Sequence, residues 1–161
     1  MLEINQIYCM DCLDVLAQID DESIDLFVTS PPYNIGIDYG VYKDNMKWED
    51  YLEWVKKWIS ELYRVMKKDG RICINVLVEM EINLIPNNKS TRTRLSPLVE
   101  FYKIITEVGF KVKGMPMWTD NHRPKNTAWG SWKSCSMPYL YSPFEVIIIA
   151  FKEVGKKKRK A

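Results

Sequence analysis

Residues 24–36 read IDLFVTSPPYNIG. The first five, Ile24-Asp25-Leu26-Phe27-Val28, form an apolar run of strand length, and the character of the chain changes at once after it. Pro31 and Pro32 suit neither a sheet interior nor a helix interior, because each lacks an N–H, fixes φ and restricts the residue before it. A buried strand therefore leaves its sheet at a rigid corner, Thr29-Ser30-Pro31-Pro32-Tyr33-Asn34. In open α/β sheets, ligands sit beyond the carboxyl ends of the strands, and this corner stands at such an end.

The corner offers a specific set of groups. Ser30 brings a hydroxyl. The carbonyls around Pro31 and Pro32 have no neighbouring proline N–H to pair with and are expected to accept from a ligand. Tyr33 brings a flat face on which a planar ring can stack. An exocyclic amine on a nucleobase matches all three. Its lone pair is conjugated into the ring. Two acceptors converging on its hydrogens would draw the nitrogen toward tetrahedral geometry and expose that lone pair. A base reached in this way has to leave the duplex stack. The alternative is a proline corner that merely ends a strand. The buried strand before it, the polar residue that opens it and the Asn that closes it favour the functional reading.

Working outward, 4–9 (INQIYC) reads as a short strand or the end of one. Asp11 to Ile19 carries Leu13, Leu16 and Ile19 at helical spacing. From Trp48 to Lys67, Tyr51, Val55, Trp58, Ile59, Leu62 and Met66 fall on one helical face, with Gly70 as the expected stop. RICINVLV (71–78) follows as a buried strand, and strand–helix–strand implies a right-handed parallel crossover. Residues 86–94 (PNNKSTRTR) read as an exposed loop. Ser96-Pro97 is a cap with proline at the first helical position, and Gly109 ends that helix. KVKGMPMW (111–118) and FEVIIIAFK (144–152) are strands, with a loop rich in aromatics between them. The order predicts an α/β fold with most strands parallel and the last two forming an antiparallel pair at one edge.

The chain has 161 residues, one domain's worth, is 47% hydrophobic, and contains no apolar run of membrane-spanning length. The N-terminus lacks the layout of a signal peptide, so a cytoplasmic location is expected. The net charge of +2 misleads, because Lys156, Lys157, Lys158, Arg159 and Lys160 supply five positive charges and leave the rest slightly acidic. A nucleic-acid partner must then meet a local basic surface. Residues 1–154 are expected to form one unit, followed by a basic disordered tail, 155–161. Cys9, Cys12, Cys73 and Cys135 do not suggest a disulfide framework. Cys9-x-x-Cys12 has metal-ligand spacing, but Cys73, Cys135 and His122 are scattered, so no metal site is assigned.

The stretch CMDCLDVLAQIDDESIDLFVTSPPYNIG, together with KKDGRICINV, NTAWGSW and SPFEVIIIAFK, resembles the permuted amino-directed DNA methyltransferases over nearly all of residues 7–152. These make N4-methylcytosine or N6-methyladenine from S-adenosyl-L-methionine. The resemblance implies a partial Rossmann-like methyltransferase sheet, with Ser30, Pro31, Pro32 and Tyr33 as the catalytic motif. Ser30 and the Pro31 carbonyl would hold the amine, and Tyr33 would stack on the flipped base. The serine form is more typical of the cytosine-N4 enzymes. Asp11 matches an acidic position near the cofactor pocket and, with Ser30, would face the cofactor; the alternative for Asp11 is a helix cap. Candidate DNA contacts are Asn34, Lys89, Arg92, Arg94, Trp129, Trp132 and Lys133, with Lys125 beside the tryptophans.

The resemblance also marks a gap. The family holds its cofactor on a Phe-x-Gly-x-Gly loop, and none of the seven glycines here makes Gly-x-Gly. The chain is therefore expected to be a truncated piece, half of a split enzyme or a remnant, with little turnover alone. The edge of the catalytic strand is expected to be open and apolar, inviting self-association or a complementing chain. A non-catalytic nucleic-acid-binding or subunit module is the alternative function, and adenine N6 the alternative target.

Overall fold

The computed structural model describes residues 2–40, 42, 44–83, 92–119 and 144–152. In chain order the elements are α1 (Cys12–Leu16), β1 (Ile24–Thr29), α2 (Trp48–Val65), β2 (Met66–Leu77), β3 (Met80–Asn83), β4 (Arg92–Leu95), α3 (Pro97–Val108), β5 (Lys111–Gly114), β6 (Met117–Thr119) and β7 (Phe144–Phe151). The main sheet runs β1-β2-β7-β5, with β6 also beside β7. β1 and β2 are parallel, as the crossover implied. β7 runs antiparallel to β2 on one side and to β5 and β6 on the other. The expected antiparallel edge pair is therefore present, and β7 also reverses against the centre of the sheet.

The helices form because their apolar residues recur at helical spacing and their ends are capped. Ser96 accepts from the Val99 N–H, Pro97 takes the first turn, and Gly109 closes α3 at φ 117°. α2 buries Tyr51, Val55, Trp58, Ile59, Leu62 and Val65. Its aromatics form a ladder: Trp48 stacks on Tyr51 at 5.4 Å, Trp54 meets Trp58 edge-on at 6.1 Å, and Trp58 leans on Phe101 of α3 at 6.2 Å. Ile72, Ile74, Val76, Ile148 and Ala150 complete the core. The carbonyls of Arg64 and Val65 at the end of α2 accept from the N–H groups of Glu22 and Ser23, which ties the entry of β1 to that helix end.

The alternation along the strands gives the sheet two unlike faces. Phe27, Ile72, Ile74, Ile148 and Ala150 share the face packed by helices. On the other face Leu26 and Val28 are 58% and 67% exposed, and β1 has a strand on one side only among the described residues. Among the described residues, then, the edge of β1 is open, as expected from the sequence.

Three expectations give way. Residues 4–9 form no strand: Asn5 turns the chain at φ 62°, Ile4 and Ile7 are exposed, and no described strand pairs with them. Gly70 does not stop α2. The helix ends at Val65, Met66 is already extended, and Gly70 lies where β2 bulges against β1, between the pairs Ile24–Met66 and Leu26–Arg71. A Cβ on Gly70 would lie 3.0 Å from the Ile24 and Lys67 carbonyl oxygens, so the bulge needs glycine for close approach. The end of the supposed loop 86–94 is a strand, since Arg92–Leu95 pairs antiparallel with Met80–Asn83. Lys89, Lys125, Trp129, Trp132, Lys133, His122, Cys135 and the tail 155–161 lie outside the described residues.

Candidate active site

The corner leaves β1 at Thr29 and is held from three directions. From α2, the buried Tyr51 hydroxyl donates to the Pro32 carbonyl at 2.7 Å. This corrects the expectation that the Pro32 carbonyl is open to a ligand. The Pro31 carbonyl is different: Pro31 is buried, and among the described residues no donor reaches it. Such an acceptor is left for a molecule in the cavity that Pro31 lines. Tyr51→Phe leaves the Pro32 carbonyl orphaned as well. The expected loss is about 1.5 kcal/mol, read as a fall of about 5 °C in the thermal midpoint by circular dichroism.

The second hold is Asp44, which is 2% exposed. Its Oδ1 accepts from the Asn34 N–H at 2.8 Å, and its Oδ2 accepts from the N–H groups of Ile35 and Ile37 at 3.0 Å each. Its own carbonyl takes the Gly36 N–H at 2.7 Å. One carboxylate thus gathers the loop immediately after Tyr33. Asn34, at φ 59°, exchanges both ends of its side-chain amide with the backbone of Met46, at 2.9 and 2.7 Å. Expected as a DNA contact, it is placed by the fold as a loop clamp.

The third hold is on Tyr33. Its hydroxyl donates to Glu145 Oε2 on β7 at 3.0 Å and accepts from Asn75 Nδ2 on β2 at 2.8 Å. Asn75 Nδ2 also meets Glu145 Oε2 directly. Burial, followed by the Glu145 carboxylate, pushes the phenol pKa up to about 12, against smaller opposing effects from the nearby Ser30 hydroxyl and Asn75. The phenol is therefore a neutral donor throughout the physiological range. Glu145 and Asn75 were not legible as site residues, since each acts on Tyr33, which is distant in sequence, and Asp44 was not, since its polar loop gives no local sign that it turns inward.

Beside the corner, on the helix-packed face, lies a cavity of about 580 Å³. Asp11, Phe27, Ser30, Pro31, Trp54 and Trp58 are among its walls. Asp11 does cap α1, its Oδ1 accepting from the Leu13 N–H at 2.8 Å, and it also faces the cavity, so both readings of it hold. Apolar walls with a few polar groups among them suit a planar heterocycle that carries donors. Burial, followed by the neighbouring Asp11 carboxylate, raises the Cys12 thiol pKa, so Cys12 stays protonated at neutral pH. No group of three or more His, Cys, Asp or Glu side chains able to hold a metal occurs among the described residues. Arg94 is paired with Glu79 at 3.0 Å, and Arg92 contributes its backbone to β4. Among the described residues no helix is long and apolar enough to cross a membrane.

The family model described as DNA methylase, of the N6/N4 type, matches residues 24–160. The type II methyltransferase M.MjaVI of Methanocaldococcus jannaschii is 40% identical over 142 residues, which is 88% of this chain and 69% of that relative. Among solved structures, TTHA0409 of Thermus thermophilus, complexed with S-adenosyl-L-methionine, superposes with a TM-score of 0.65 at 21% identity, covering 92% of this chain and 53% of that one. The cytosine-N4-specific PvuII DNA methyltransferase superposes with a TM-score of 0.61 at 20% identity, over 90% of this chain and 48% of that one. At those identities the likeness is one of fold, and this chain spans about half the length of both structures.

Proposed function

The chain belongs to the N6/N4 DNA methylase family, and on that premise we propose that it carries the target-amine half of an S-adenosyl-L-methionine-dependent DNA methyltransferase. The observation that supports this most directly is the unpaired Pro31 carbonyl at a corner fixed on three sides, with the Ser30 hydroxyl beside it. The two are acceptors for the two hydrogens of an exocyclic amine. Holding both hydrogens turns the lone pair out of conjugation and toward the methyl donor. Tyr33 stacks on the base once it has left the duplex. Because Tyr51 and Asp44 hold the backbone in place before the substrate arrives, little reorganisation is needed during reaction.

S-adenosyl-L-methionine supplies the electrophilic methyl group. The cavity's lining suits part of that molecule, with Trp54 and Trp58 as aromatic walls for its base and Asp11 and Ser30 as polar groups beside them. A glycine cradle for the rest is not among this chain's residues, since its sequence holds no Gly-x-Gly. The free edge of β1 and the exposed Leu26 and Val28 are the surface that a complementing segment, or a second copy, would cover. Cytosine N4 is the favoured target, on the serine form of the motif.

Calorimetry tests the cofactor side. Titrating S-adenosyl-L-methionine into this chain alone is expected to give no saturable heat, and saturable heat is expected once a polypeptide carrying the glycine loop is added. Heat in neither mixture sinks the reading. Methyl incorporation into DNA by the same mixture tests the amine side. The double variant Ser30→Ala/Tyr33→Ala is expected to lower it at least about tenfold, the size of one lost stacking contact or more. Unchanged incorporation removes the corner from the mechanism. N4-methylcytosine against N6-methyladenine in the digested product decides the target.

A further inference from the structure

The Tyr33, Asn75 and Glu145 side chains close a triangle of hydrogen bonds that joins the corner, β2 and β7 at one end of the sheet. In the strand registers, Asn75 opposes Ile147 and Glu145 opposes Leu77, so both stand on the face opposite to α2. The helix-side cavity lies across the sheet from them, and the Ser30-Pro31-Pro32 corner lies between the two. We infer that Glu145 and Asn75 are positioning residues for the target base: they fix the Tyr33 ring as a preset stacking platform on the open side of the corner. This rests on the reading of Tyr33 as that platform.

Three observations carry it. The phenol hydrogen is committed to Glu145 and the phenol oxygen to Asn75, so the tip of the ring is tethered and the side chain cannot swing about its Cα–Cβ bond without breaking both contacts. Asn75 is only 6% exposed and its Oδ1 has no partner among the described residues, a costly state for a buried amide. An apolar trio would pack there at lower cost, so stability does not account for the cluster, whereas fixing one orientation does. Its three members also come from segments far apart in the chain, which makes the ring's position depend on the finished sheet. A platform held in advance spares the base the cost of ordering it.

The test uses a short single-stranded oligodeoxynucleotide containing one 2-aminopurine, whose fluorescence is quenched on stacking. It is titrated into the wild-type chain, Tyr33→Ala, Tyr33→Phe, Glu145→Gln and the double variant Tyr33→Phe/Glu145→Gln. Wild type is expected to quench, and Tyr33→Ala to abolish quenching. Tyr33→Phe keeps the ring but loses the hydroxyl, and Glu145→Gln keeps the shape but loses the charge. Each is expected to weaken the apparent affinity about fivefold, and the double variant no further than Tyr33→Phe alone, because loss of the phenol already removes its contact with Glu145. Wild-type affinity in Glu145→Gln, or effects that multiply in the double variant, overturns the inference while leaving the platform standing. Quenching by Tyr33→Ala equal to wild type, or none by wild type, overturns the platform and the inference with it. If Glu145→Gln lacks a cooperative thermal transition, Tyr33→Phe decides alone: binding as tight as wild type overturns the inference.

Discussion

Asp44→Ala is expected to lower the thermal midpoint of this chain by about 10 °C. The carboxylate is buried and accepts three backbone N–H bonds, from Asn34, Ile35 and Ile37. Charge-assisted bonds of this kind stabilise more than neutral ones, and removing the acceptor strands three donors at once. Water can reach some of them as the loop opens, so the net cost is about 3 kcal/mol and not the sum of three full penalties. At about 2–4 °C per kcal/mol for a domain of this size, that gives the stated shift. Asp44→Asn keeps the shape but turns one acceptor into a donor facing N–H groups, and is expected to fall between wild type and alanine. The same substitutions should open the loop after Tyr33 to limited proteolysis well below the unfolding temperature. A midpoint within about 2 °C of wild type for Asp44→Ala would mean that the loop does not depend on this carboxylate.

Trp58 gives the second large effect, and its size depends on what replaces the indole. It is 3% exposed, packs between Trp54 and Phe101, and lines the cavity beside the corner. Trp58→Ala removes that packing and is expected to cost about 3–5 kcal/mol. Its indole N–H, however, is buried without a partner among the described residues. Trp58→Phe removes this orphaned donor, a gain of about 1–3 kcal/mol, at the cost of a small void of similar size. Urea unfolding should therefore place Trp58→Phe within about 1 kcal/mol of wild type and Trp58→Ala far below it. Equal losses in both variants would mean that the N–H has a partner, such as a trapped water.

The contrast between what the sequence disclosed and what it withheld follows the range of the interactions. The corner, the buried face of α2 and the caps of α3 were legible because proline geometry, helical spacing and Ser-Pro capping act over a few residues. The open edge at β1 was legible from its apolar run and the absence of Gly-x-Gly. Asp44 sat unnoticed in GIDYGVYKDN, because a carboxylate in a polar loop has the same local signature whether it points to water or gathers three amides. Glu145 and Asn75 are 112 and 42 residues from Tyr33, and no local pattern links them. Gly70 misled because a glycine after an amphipathic run is the usual mark of a helix end, while here Met66 turns straight into a strand and the glycine is needed in the bulge. INQIYC has strand-like residues but no described neighbour to pair with, and composition cannot supply one.

The pairing of β2 with β7 has a consequence for how the molecule is made. Arg71 pairs with Phe151, so the middle of the sheet joins segments separated by about half of the chain. α2 and α3 depend on near neighbours and can form as they leave the ribosome. The sheet cannot close until Phe151 has been synthesised, and until then β2 lacks its inner partner and its apolar residues await cover. Long-range pairing of this kind slows folding and leaves apolar strands exposed while it proceeds. Production of the protein should therefore be limited by events after translation, and slower synthesis at low temperature should help less than a chaperone that shields the waiting strand.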